Sequence, residues 1–258
     1  MSPASVNSGG VKSLVRLASV AQSGVPCPLS VAAAAAFIHW QARRGMIVTV
    51  VDAAGEMWRG RLTELHEKGG FLTPFQRLLR PLESSLQLTV YQALPEKERF
   101  ELILEKLTEL GVTRIVPVVS RHSSTLAARD ANQQKSHRWP EVLRRAAVQC
   151  RRAIIPELSP CLDLAAAFID AQNADLRLML YEGEGTTSLK TVLAGTECQQ
   201  CQQIALLVGP EGGFSTAEVT TARVLGFLPV SLGPRILRTE TAAISAATVL
   251  QFALGDLN

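Results

Sequence analysis

A chain of 258 residues with 47% hydrophobic content has apolar side chain enough for one large domain or two modest ones, which excludes a disordered or fibrous protein. Its longest apolar run, 31–38, is far shorter than the roughly 20 residues of a membrane-spanning helix, and the first ten residues lack the charged-then-apolar order of a signal peptide, so no membrane partner and a cytoplasmic location are expected. The net charge of +3 permits nucleic-acid binding without arguing for it, and the odd, scattered cysteines at 27, 150, 161, 198 and 201 exclude a disulfide framework. Cys198 and Cys201 form a lone CxxC with no second pair and no nearby histidine, the reading of chance spacing in a polar loop, and the histidines at 39, 66, 122 and 137 make no HxxxH pair. No metal site is expected.

Residues 1–10, rich in Ser, Gly and Pro, read as a disordered lead-in. From 11 to 94 strand-like runs dominate, at 11–18, 46–51, 56–65 and 86–94, with a hairpin turn at Asp52-Ala53-Ala54-Gly55. One alanine-rich helix is predicted over 31–42. Together these give a small β-rich module over 11–88 and leave 89–258 for a second, α/β domain.

The second domain opens on a helix over 96–110, where Phe100, Ile103, Leu104, Leu107 and Leu110 share one face and Gly111 ends it. A buried strand follows at 112–119. Residues 120–137 are polar and aperiodic, the pattern of a long exposed loop. Trp139, Val142, Leu143, Ala146, Ala147 and Cys150 then recur at helical spacing, with Arg144, Arg145 and Arg151 on other faces and Arg151-Arg152 at the helix end. Cations suit a helix C-terminus for electrostatic reasons, but Arg121, Arg144, Arg145, Arg151 and Arg152 also make a basic band able to neutralise phosphates.

Three strand-then-loop units complete the chain. Strand 176–181 runs into Glu182-Gly183-Glu184-Gly185, strand 204–208 into Gly209-Pro210-Glu211-Gly212-Gly213, and strand 228–232 into Gly233-Pro234-Arg235-Ile236-Leu237-Arg238. Glycines let a ligand approach the main chain, and ligands of open parallel sheets bind beyond the carboxyl ends of strands. Ser215 and Glu218 form a capping box that starts a helix ending at Gly226. Small or apolar residues at 243, 246, 247, 250 and 254 give the last helix a narrow face for close packing. The three loops converge only if their strands are neighbours in one parallel sheet. No GxGxxG is present, which disfavours a Rossmann dinucleotide site.

The segments Leu207-Val208-Gly209-Pro210-Glu211-Gly212-Gly213-Phe214-Ser215 and Ser231-Leu232-Gly233-Pro234-Arg235-Ile236-Leu237-Arg238-Thr239-Glu240-Thr241-Ala242 resemble the paired motifs of the RsmE family, ribosomal RNA uracil N3-methyltransferases of the SPOUT class. The Glu109-Leu110-Gly111-Val112 run, and Arg121, Gln149 and Arg152, are similar to further family positions. The resemblance implies a SPOUT-type parallel sheet with a C-terminal trefoil knot, an N-terminal PUA-like β-barrel that binds RNA, a homodimer with the knot in its interface, and 16S ribosomal RNA or the small subunit as partner. It implies S-adenosylmethionine held by Tyr181, Glu182, Val208, Gly209, Pro210, Gly212, Ser231, Leu232, Gly233, Ile236, Leu237, Thr239, Thr241 and Ala242, with adenine read by main-chain groups.

For transfer to uridine N3 it implies Arg238 as the cation that stabilises charge on the base oxygens, with Glu240 as the weaker candidate for taking the proton. A purely structural reading pairs Arg238 with Glu211 or Glu240, and makes Thr239 and Thr241 helix caps as well as ligand partners. The N-terminal module departs from the family: aligned on Gly45, Gln41 stands in place of an arginine and Met46 in place of an acid, with Arg43 and Arg44 as substitutes or as a solvated face. That divergence keeps open a non-catalytic RNA-binding protein, beside a knotted methyltransferase acting on another RNA position.

Overall fold

The β-branched and alternating runs before residue 83, and the continuous apolar runs after it, pack into two units. The computed structural model describes residues 9–95, 99–128 and 138–257. Met1–Glu83 with Leu143–Pro156 form one unit, and Ser84–Val142 with Glu157–Asn258 the other. The single boundary expected at 88/89 compares with a packing boundary at 83/84 and a return of the chain to the first unit at 143–156.

In the first unit β1 (Cys27–Leu29), β2 (Ile47–Val51), β3 (Met57–His66) and β4 (Gly69–Arg77) form an antiparallel sheet in the order β1-β4-β3-β2. Helix α1 (Val31–His39) is capped by Ser30, whose side chain accepts from Ala33 N, and buries Ala33, Ala34 and Phe37. It stops three residues before the expected 42, where Gln41 turns the chain at φ +52°. The β2–β3 turn is built by Asp52: Oδ1 accepts from the N–H groups of Ala54 and Glu56, both at 2.9 Å, while Oδ2 accepts from Ala21 N at 3.0 Å and Trp58 Nε1 at 3.2 Å. Burial pushes this carboxyl up, but the four donors outweigh it and hold its pKa below the ordinary aspartate value.

Three expectations for this unit are corrected. Residues 11–18 are no strand: Gly10–Ser13 is a 3₁₀ turn, and beyond it the chain makes one isolated bridge, Arg16 with Val51. The apolar alternation there buries Val15 and Leu17 but leaves Val11 exposed, so it fills a core without building a ladder. Strands β1 and β4 were not foreseen, because Gly69, Gly70 and Pro74 read as strand breakers. The sheet accommodates Pro74 opposite Gly60, beside a register shift between Arg59 and Gly60, and a Cβ on Gly60 would come within 2.4 Å of Leu72. The strand over 86–94 belongs not to this sheet but to the second unit. Of the expected lead-in, residues 1–8 lie outside the described residues; Gly10 N donates to Ile155 O at 2.6 Å.

The second unit is α/β with a parallel sheet. It comprises β5 (Gln87–Ala93), α2 (Arg99–Glu109), β6 (Arg114–Val119), the start of α3 (Trp139–Cys150), β7 (Glu157–Leu158), β8 (Leu162–Asp163), α4 (Leu164–Asp170), β9 (Leu176–Leu180), β10 (Thr187–Ser188), α5 (Leu189–Leu193), β11 (Gln203–Val208), α6 (Thr216–Val224), β12 (Leu228–Ser231) and α7 (Thr239–Leu254). The strand order is β10-β12-β9-β11-β5-β6-β7, with β8 beside β6, and every pairing is parallel. Continuous apolar runs such as Ile204–Val208 suit strands covered on both faces. On one face Leu164, Phe168, Val219 and Ala222 pack with Tyr91, Val116, Met179 and Leu207. Elsewhere α7 packs on α2 and buries Ala243, Ala246, Ala247 and Leu250, the small residues that permit close helix approach.

On β5, Tyr91 OH donates to Asp170 Oδ2 at 2.6 Å, and Arg114 reaches both oxygens of Asp170 at 2.6 and 3.2 Å. Burial raises the Asp170 carboxyl, but the hydrogen bonds from Arg114 and Tyr91 hold its pKa below the ordinary value. The predicted start of α2 at 96–98, and Arg129, Lys135 and the rest of 129–137 in the expected long loop, lie outside the described residues.

Candidate active site

Parallel pairing of β9 with both β11 and β12 sets three strand ends side by side. The loops that follow, 181–185, 209–214 and 232–238, close on one cavity of about 520 Å³, within the range of small-molecule and cofactor sites. Leu180, Val208, Val230, Phe214 and Leu232 give it apolar wall, and Gly183, Gly209 and Gly212 expose main chain to it. Two of these glycines are dictated by close approach. A Cβ on Gly183 would lie 2.4 Å from the Tyr181 ring, and one on Gly212 would lie 2.9 Å from His122 Cβ.

The loops are tied to each other and to the sheet. The expected capping box forms, with Glu218 Oε2 accepting from Ser215 N at 2.7 Å. The other oxygen, Oε1, accepts from Arg121 N at 2.8 Å, so the segment after β6 is anchored to the glycine loop, and His122 Nδ1 lies 3.3 Å from Gly213 O. Gln92, fully buried at the end of β5, donates from Nε2 to Thr239 Oγ1 at 3.0 Å and to Gly209 O at 3.4 Å. Thr239 Oγ1 itself donates to Gly209 O at 2.5 Å. Glu182 Oε1 accepts from Leu237 N at 3.3 Å, and Arg223 Nη2 donates to the carbonyls of Glu184 and Gly185, each at 3.0 Å.

Every residue expected to hold the cofactor lines this cavity except Thr241, which is exposed and not among the lining residues. Arg238 lines it; Glu240 does not. Neither threonine caps α7: Arg238 is the N-cap residue, no side chain caps it, and the Thr239 hydroxyl goes to Gly209. Nor does Arg238 pair with Glu211 or Glu240. Both carboxylates go to Arg99, with Arg99 Nη1 2.9 Å from Glu211 Oε1 and Arg99 Nε 3.9 Å from Glu240 Oε1. Arg99, Gln92 and Arg223 were missed, since each sits in an ordinary helix or strand pattern and meets the site only through the tertiary fold.

The basic band divides. Arg152 is 5% exposed and donates to Glu83 Oε2 from Nε at 3.0 Å and Nη2 at 2.7 Å, while Glu83 Oε1 accepts from Ala153 N and Ile154 N. That is a buried structural pair, not a phosphate contact. Arg144 donates to Trp40 O at 2.6 Å and Gln41 Oε1 at 3.0 Å, which also gives Gln41 a structural use. Arg121, Arg145 and Arg151 are exposed. Among the described residues no group of three or more His, Cys, Asp or Glu is placed to hold a metal ion, and no helix is long and apolar enough to cross a membrane.

The model of an RNA methyltransferase domain matches residues 82–251. The ribosomal RNA small subunit methyltransferase E of Buchnera aphidicola subsp. Schizaphis graminum is 32% identical over 184 residues, covering 71% of this chain and 72% of that protein. The chain belongs to the ribosomal RNA small subunit methyltransferase E family. The methyltransferase E of Neisseria gonorrhoeae, in a crystal structure bound to S-adenosyl methionine, is similar with a TM-score of 0.69 at 27% identity over 95% of this chain and 98% of that one. A Legionella pneumophila structure in complex with bound S-adenosylmethionine gives a TM-score of 0.67 at 32% identity over 94% and 98%. The methyltransferase E likeness thus spans both units, whereas the domain model begins at residue 82.

Proposed function

We propose that the protein transfers a methyl group from S-adenosylmethionine to N3 of a uridine in 16S ribosomal RNA of the small subunit. The observation that carries this reading is the cavity closed by the loops after β9, β11 and β12, in which main chain, apolar wall and the Arg238 guanidinium meet. S-adenosylmethionine suits such a site: backbone groups of 209–213 and 232–237 read the adenine edge, Leu232, Ile236 and Leu237 cover its faces, and Glu182 at the rim favours a cation. When bound, it supplies a methyl group activated on a sulfonium centre.

The chain's residues then align and stabilise. Holding the base in line with the methyl group accounts for much of the acceleration. Loss of the N3 proton spreads negative charge onto O2 and O4, and Arg238 stabilises it. Glu240 lies outside the cavity lining, beside Arg99, so the N3 proton passes to solvent water rather than to its carboxylate. Arg121, Arg145 and Arg151 contact RNA phosphates, each through an exposed guanidinium.

The finer architecture follows the family resemblance: a trefoil knot through which the 232–238 loop and α7 are threaded, a rare exception to the rule against threading, a PUA-like first unit that binds RNA, and a homodimer in the cytoplasm. The outer face of α7 supports the dimer, since Val249 and Phe252 are exposed there, Phe252 at 71%. The reading is tested by calorimetric titration with S-adenosylmethionine and by methyl transfer to small ribosomal subunits. RNA binding without cofactor affinity would replace it with a non-catalytic role.

A further inference from the structure

Three arginines and two carboxylates line the cavity, and their engagement differs. Arg99 Nη1 lies 2.9 Å from Glu211 Oε1, and Arg99 Nε lies 3.9 Å from Glu240 Oε1. Glu182 accepts from Leu237 N at 3.3 Å. Both carboxylates of the lining therefore already have donors. Arg235 and Arg238 are different: both are exposed, and among the described residues neither side chain makes a hydrogen bond or an ion pair. They stand three residues apart on the loop after β12, so that wall of the cavity presents two guanidinium groups. Stabilising charge on the base calls for only one of them, Arg238.

The other sits on a loop that is fixed at both ends. Gly233 takes φ +132°, a conformation that favours glycine, and the ring of Pro234 fixes its own φ, so the chain is stiffened immediately before Arg235. On the far side Leu237 N is tied to Glu182 and the Thr239 hydroxyl to Gly209 O. A cation carried on such a loop is presented with little backbone ordering left to lose on binding. A base must leave its stack to react in an enclosed cavity, and the phosphates joined to its ribose then lie at the rim. Contacts to those phosphates set register and orientation, not base identity. We propose that Arg235 is a substrate-binding residue that holds a backbone phosphate at or next to the target nucleotide, an anionic subsite at the cavity rim beside the place of the base. This rests on the reading of the cavity as the methyl-transfer site.

The test measures methyl transfer to small ribosomal subunits against subunit and salt concentration for the wild type, Arg235→Ala and Arg235→Lys, with S-adenosylmethionine Kd measured separately by calorimetry. Arg235→Ala should raise the subunit KM by about five- to tenfold and leave kcat and the cofactor Kd within about twofold. Loss of one phosphate contact should also flatten the dependence of log(kcat/KM) on log salt by roughly 0.7. Arg235→Lys keeps the charge and should retain most of the affinity and of the slope. Should the alanine variant not fold, Arg235→Gln makes the same comparison. An unchanged KM and salt slope would overturn the proposal. So would a loss confined to kcat or to cofactor affinity, which would assign the guanidinium to the base or to S-adenosylmethionine. A wild type that binds cofactor but methylates no ribosomal RNA would sink the underlying reading and this proposal with it; an active wild type matched by Arg235→Ala would sink the proposal alone.

Discussion

Gln92 Nε2 donates a hydrogen bond to Thr239 Oγ1 at 3.0 Å, joining residues 147 apart in sequence. The same amide reaches Gly209 O, so one buried side chain from β5 holds the start of the glycine loop against the start of α7. Its Oε1 is buried without a partner, so the amide is retained at a cost in desolvation. Gln92→Leu removes the tie and leaves the cavity wall free to splay. S-adenosylmethionine affinity should fall by about tenfold, corresponding to the roughly 1–3 kcal/mol of unmade buried hydrogen bonds. Calorimetry on the folded variant checks this; unchanged affinity would mean that the two loops are set by other contacts.

Arg238→Ala should separate binding from chemistry. Among the described residues the Arg238 side chain makes no hydrogen bond or ion pair and does not cap α7, and its backbone carbonyl, which accepts from Ala242 N at 2.8 Å, is kept in the alanine variant, so the fold loses little. Turnover should drop by about a hundredfold or more, with cofactor Kd and melting temperature close to wild type. A variant that turns over normally would remove Arg238 from the mechanism.

Arg152 and Arg145 stand on the same stretch of chain and should behave oppositely. Arg152→Ala strands the Glu83 carboxylate in a buried site, a change of the kind that costs about 3–5 kcal/mol. Arg145 is exposed, so Arg145→Ala should leave melting unchanged and weaken RNA binding, with a smaller salt dependence. Thermal unfolding and salt-titrated RNA binding distinguish the two. A soluble, fully stable Arg152→Ala with weakened RNA binding would reverse the assignment.

Acid should unfold the protein through carboxylates in both units. Asp52 and Asp170 each have a folded-state pKa below the ordinary aspartate value. A depressed pKa contributes stability that is fully present above the unfolded value, about 3.9, and is lost as pH falls through the folded value. Melting temperature should therefore hold steady down to about pH 5 and fall steeply below about pH 4. Asp52→Asn should melt lower at neutral pH and lose part of that acid slope. An acid slope identical to wild type would show that the four donors around Asp52 do not set its titration.

Much of the second unit was legible in the sequence, because its strands are continuous apolar runs punctuated by glycine, and two long loop motifs carry the site. The 204–208 strand, the Ser215–Glu218 cap and the Ala-rich face of α7 are local patterns, and local patterns suffice for them. The first unit was harder. Strand β4 carries two glycines and a proline, tolerated only because Gly60 and the bulge beside it make room across the sheet. The partners of the site were illegible for a related reason. Arg99 looks like any charge at a helix start and Gln92 like any polar residue in a strand, and only the parallel order β9-β11-β5 brings them to the cavity. Arg152 misled because burial, not sequence, decides whether an arginine meets phosphate or carboxylate.

The most direct measurement is transfer of labelled methyl from S-adenosylmethionine to small ribosomal subunits that lack the modification, with protein-free 16S RNA alongside and the labelled nucleoside identified by chromatography and mass. The account predicts label in N3-methyluridine, lost with Arg238→Ala. Label in any other nucleoside, or none despite measured cofactor binding, would contradict it.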